Sequence, residues 1–128
     1  MKQAIQQVQT CTTMQDVRRC VDALDDVLVP LLVQRSAYMT QAARIKQDMS
    51  QVRDEDRIEA IVDRVRALTK EEGGEPAVLE AIYRSLMEVC ISFEHREFAR
   101  LRADSLEGPS APSGGGIVRA VTNVGAIA

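Results

Sequence analysis

Over residues 14–49, apolar side chains return every three or four positions: Val17, Val21, Leu24, Leu28, Leu31, Met39, Ala42, Ile45 and Met49. That period marks one face of a long α-helix. Thr13 followed by Asp16 resembles a capping box at its start, with Asp where Glu or Gln is usual. Pro30 removes one backbone hydrogen bond but leaves the apolar register intact, which predicts a kink rather than a break. At about 1.5 Å per residue the helix spans ~50 Å. A compact domain of 128 residues is narrower, about twice a radius of gyration of roughly 13 to 14 Å. The overhanging apolar stripe needs cover, and a second copy of the chain would provide it. A homodimer is therefore expected.

Two shorter helices follow. Residues 55–72 form one, with Asp54 as N-cap and Glu55 and Asp56 in its first turn, where negative charge suits the helix dipole. Its stripe is Ile58, Ile61, Val62, Val65 and Leu68, and Gly73 and Gly74 end it. Pro76 opens a third helix at its first position, with Leu79, Ile82, Leu86, Val89 and Phe93 as its stripe and fraying near Asp104. The reading is all-α: a lead-in over 1–13, a helical domain over 14–104, then a linker and tail over 105–128. The linker reads SLEGPSAPSGGG, and the short apolar tail IVRAVTNVGAIA.

Composition removes several function classes. A net charge of −3 supplies no basic field for nucleic acid or acidic membranes. Aromatics at 3%, without Trp, are too few for a base-stacking platform. No run of about 18 apolar residues is present, so no membrane span is expected. The N-terminus lacks the apolar core of a signal peptide. Cys11, Cys20 and Cys90 are odd in number and lack metal-like spacing, which argues for reduced thiols in the cytoplasm. With His95 as the single histidine, a His-based metal site or a Ser/His/Asp triad is not expected.

Four cations then stand out: Arg18, Arg35, Lys46 and Arg57. Arg35 and Lys46 lie on the apolar side of the first helix, where an unpaired cation is costly. The stripe holds no acid to pair with them. Eleven residues separate the two, which returns to within about 20° of one direction and rises about 16 Å. Their long side chains can lean toward a common point. Arg18 points about 100° away and lies about 25 Å down the axis. It cannot reach that point from its own helix, but in an antiparallel dimer it could reach the partner's. Arg57 lies near Ile61 and Leu68 in direction and approaches from the second helix. Any one such cation is ordinarily a side chain snorkelling at the edge of a stripe. Four together suggest a small dianion bound between helices, which points to a carboxylate-binding site.

The spacing Arg18-x16-Arg35-x10-Lys46-x10-Arg57, together with the segments VRRCVDALDDVLVPLLVQR, ARIK, VRDEDR and VCISFEH, resembles the all-α class of chorismate mutase. The resemblance covers residues 14–101. It implies three-helix chains intertwined as an antiparallel homodimer, with each site shared between chains. It also implies conversion of chorismate, a dicarboxylate, to prephenate by an intramolecular Claisen rearrangement without a cofactor, and a place in aromatic amino acid biosynthesis. Carried over, Arg35 and the partner's Arg18 would clamp the carboxylates, as a guanidinium fork suits. Lys46 would contact the ether oxygen and a carboxylate. Arg57 would add charge and order its loop, and Asp54 would cap the second helix and approach the substrate hydroxyl. Cys90 would sit beside a carboxylate, with a buried small hydrophobe as its plain alternative.

Two positions depart from the family's pattern. Ile58 replaces an acid that often holds the substrate hydroxyl. Glu94 stands where many members have Gln to donate to the ether oxygen. Glu94 can donate only if protonated; its plain alternative is an ion-pair partner of Lys46. The rival functions are an isochorismate pyruvate-lyase, which shares the helices and the cation set, and a non-catalytic helical module that binds an anion.

Overall fold

The computed structural model describes residues 7–106. Three α-helices, α1 (Met14–Ile45), α2 (Glu55–Glu71) and α3 (Pro76–Leu106), and one 3-10 turn (Met49–Gln51) make up its regular structure. There is no strand among the described residues. Residues 1–6 of the expected lead-in and 107–128 of the expected linker and tail lie outside them. Ser105, expected to begin the linker, is still helical and its hydroxyl donates to the Leu101 carbonyl at 3.1 Å.

Thr13 starts α1: its hydroxyl accepts the Asp16 N–H at 3.1 Å. The Asp16 carboxylate accepts from the Thr12 hydroxyl and the Arg19 guanidinium, at 3.3 and 2.7 Å. The helix runs through Pro30 unbroken. It stops at Ile45, short of the expected Met49, because the next residues bond to themselves. Asp48 accepts from the Ser50 N–H at 2.8 Å, and the Gln51 side chain accepts from the Gln47 and Asp48 N–H groups at 3.0 and 3.2 Å. This local capping box competes with helix continuation and makes the 3-10 turn. Gly73, at φ 77°, takes the left-handed conformation that closes α2, and Pro76 opens α3.

The chain divides into two compact units, one up to Gln34 and one from Arg35 onward. In the first, the stripe residues Val17, Val21, Leu24, Leu28 and Leu31 are exposed. The second holds the core: Val52, Ile58, Ile61, Val62, Val65, Met87 and Ile91, with Leu79 and Tyr83 packed against it. Met39, Ala42 and Ala43 are buried on the last turns of α1. Thr40 donates from there to Glu97 on α3 at 2.7 Å.

The buried face of α3 differs from the expected stripe. Ile82 and Val89 are 54% and 67% exposed, whereas Met87, Cys90, Ile91, Glu94 and Phe98 are buried. The inward face sits one residue, about 100°, from the expected one. Both faces carry apolar residues at helical spacing, so periodicity alone could not choose between them.

Candidate functional site

Arg35 and Lys46 project from the final three turns of α1 and the residue that follows it. Arg35 Nη1 donates to Cys90 Sγ at 3.4 Å. Its guanidinium carbon lies 5.8 Å from the centroid of the Tyr83 ring, within cation–π range. Lys46 Nζ donates to Glu94 Oε2 at 2.7 Å. The two cations are about 16 Å apart along α1, but their partners are one turn, about 6 Å, apart along α3. The long side chains therefore lean together onto a single turn of α3.

Glu94 is 0% exposed, and its Oε1 has no hydrogen-bond partner. Burial pushes its carboxyl above the usual carboxylate range, opposed by the Lys46 ammonium and, more weakly, by His95. The two oxygens thus differ in environment: Oε2 is held by Lys46, while Oε1 is buried without a hydrogen-bond partner. Cys90, one turn earlier, is buried and its thiol is free of any disulfide.

Asp54 caps α2, its Oδ1 accepting from the Arg57 N–H at 3.0 Å. Asp54 also lines an open cleft of about 830 Å³ with Lys46, Gln51 and Arg53. Arg57 extends instead into a cavity of about 200 Å³ that it lines with Arg35, Arg64, Val65 and Tyr83. Arg57 Nε is buried there without a partner. Three guanidinium groups bordering so small a space favour an anion within it. Arg64 is not among the four cations that the sequence singles out, although its signal is present. It follows Arg57 by seven residues, which returns to within about 20° of the same direction on α2.

The structure thus places Arg35, Lys46, Asp54, Arg57, Cys90 and Glu94 in one unit. Arg18 is exposed and belongs to the other unit. Ile58, at the position of the expected acid, belongs to the core and is 5% exposed. No group of three or more His, Cys, Asp or Glu among the described residues is arranged to hold a metal ion. No described helix is long and apolar enough to cross a membrane.

The arrangement offers fixed positive charge for a dianion and, beside it, one buried carboxyl group able to act as a donor when protonated. Comparison with curated proteins found no match. The family described as chorismate mutase type II matches residues 17–95.

Proposed function

Because the chain belongs to the type II chorismate mutase family, we propose that it converts chorismate to prephenate at a site to which Arg35, Lys46, Arg57 and Glu94 contribute. In this reaction the C–O bond of an ether breaks as a C–C bond forms within the same molecule, and negative charge develops on the ether oxygen. The protein's part is to hold the compact conformer and to stabilise that charge. Arg35 and Arg57 bind carboxylate, and Cys90 lies beside Arg35 as a weak additional donor. Lys46 Nζ and a proton on Glu94 Oε1 face the ether oxygen. Asp54 sets the α2 N-terminus and approaches the substrate hydroxyl from the cleft it shares with Lys46.

The observation that carries this reading is the unpartnered Oε1 of a buried Glu94 whose other oxygen is bonded to Lys46. An acid serving only as an ion-pair partner gains nothing from an unsatisfied buried oxygen, whereas a donor awaiting its acceptor needs one.

The site is shared in an antiparallel homodimer, each chain's Arg18 completing its partner's pocket. The exposed apolar stripe from Val17 to Leu31 supports this, since a patch of that kind on a helix marks an association surface.

A second reading rests on Ile58. A core position cannot hold a ring hydroxyl, which suits a substrate whose hydroxyl lies elsewhere, as in an isochorismate pyruvate-lyase. Incubation with chorismate and with isochorismate, following prephenate and salicylate, tests both. Prephenate formation supports the mutase and salicylate formation the lyase. Turnover of neither leaves a non-catalytic anion-binding module.

A further inference from the structure

We propose that Arg102 is a positioning residue for Lys46, a fork on α3 that fixes the backbone from which the site's ammonium group projects. This rests on the mutase reading for its kinetic consequence, though not for the contact itself. Arg102 lies beyond the last residue matched to the family, residue 95. Its Nη1 donates to the Ala43 carbonyl at 2.7 Å, and its Nη2 donates to the carbonyl of Lys46 itself.

The need for such a group is built into α1. The helix ends at Ile45, so its last carbonyls lack intrahelical donors. They also form the negative end of the helix dipole, where a cation is favoured. A guanidinium meets both needs at once because its planar donors can serve two carbonyls from one side chain. Its plane is held in turn: the guanidinium carbon lies 3.8 Å from the centroid of Phe98, a buried ring one turn earlier on α3.

Lys46 is consequently gripped twice by the same helix. Glu94 takes its Nζ and Arg102 takes its carbonyl oxygen. With only the first contact, the end of α1 would be free to fray and carry the ammonium away from the reacting oxygen. Misplacement of a catalytic group by an ångström can cost on the order of a hundredfold in rate.

The test compares wild type with Arg102→Ala, Arg102→Lys and Phe98→Leu, the last removing the stacking ring while keeping the fork. For Arg102→Ala, kcat for chorismate should fall roughly ten- to a hundredfold with KM changed less than about twofold. Arg102→Lys should restore little, since an ammonium is a point charge rather than a fork. Phe98→Leu should show a smaller loss of the same kind. Amide hydrogen exchange supplies a second readout: Lys46, whose N–H donates to the Ala42 carbonyl at 2.9 Å, should exchange faster in Arg102→Ala while Val62 in the core stays protected. Unchanged kcat and unchanged Lys46 exchange in the alanine and lysine variants would overturn the proposal. So would a loss matched by the unfolded fraction and by equal deprotection of Val62. If wild type turns over no chorismate, the mutase reading fails, and Lys46 exchange alone decides the role of Arg102.

Discussion

Lys46 Nζ lies 2.7 Å from Glu94 Oε2, while Glu94 Oε1, equally buried, has no partner. The pair is lopsided: one oxygen is fully engaged and the other waits. A carboxyl group in that state can act as a donor when neutral and as a repulsive charge when ionised. In the proposed mechanism its titration therefore decides activity.

Burial raises the Glu94 carboxyl above its usual range, and Lys46, just past α1, and more weakly His95 on α3 oppose that rise. The protonated form is the donor, so kcat should be highest at acid pH and fall as pH rises through the shifted value. Glu94→Gln donates at every pH and should flatten that limb. The folding linkage has the same sign: a raised carboxyl contributes stability at low pH that is lost as pH rises through the folded-state value. A wild-type kcat that is flat from acid to alkaline pH would refute the neutral donor.

Lys46→Ala removes the ammonium group that the proposed mechanism aims at the developing charge. A loss of about two to three orders of magnitude in kcat is expected, as for a preorganised oxyanion donor. Steady-state kinetics on chorismate checks this, and activity near wild type would remove Lys46 from the mechanism.

The proposed sharing of the site predicts complementation between two defective chains. Arg18→Ala and Arg35→Ala should each be nearly inactive alone. In a mixed dimer one site carries both defects and the other carries neither. Random mixing of equal amounts should therefore recover about a quarter of wild-type activity. Recovery of nothing after verified subunit exchange would place each site within one chain.

Asp54→Ala should cost about 1 kcal/mol of stability through loss of the α2 cap, with Asp54→Ser recovering most of it. Thermal or denaturant unfolding measures this directly. If Asp54 also touches substrate, the serine variant will fold like wild type yet show a higher KM.

The placement of several candidate residues could be read from the sequence because helical geometry is rigid. The eleven-residue interval between Arg35 and Lys46 and the cap at Asp54 both translate into direction without knowledge of packing. The inward face of α3 could not be read in this way. Ile82 and Val89 compete with Met87 and Ile91 on apolar period alone, and tertiary packing selected the second pair. The end of α1 falls short of the apolar pattern, which runs on through Met49, because Asp48 and Gln51 bond locally. Arg64 was legible by direction, and only a cavity wall shows that the direction matters.

The exposed stripe from Val17 to Leu31 has a consequence outside the pocket. If only another copy of the chain covers it, folding and assembly become one equilibrium governed by mass action. Dilution then acts as an inhibitor, lowering turnover per chain without any molecule entering the site. Synthesis level would set not only how much catalyst a cell holds but what fraction of it is competent.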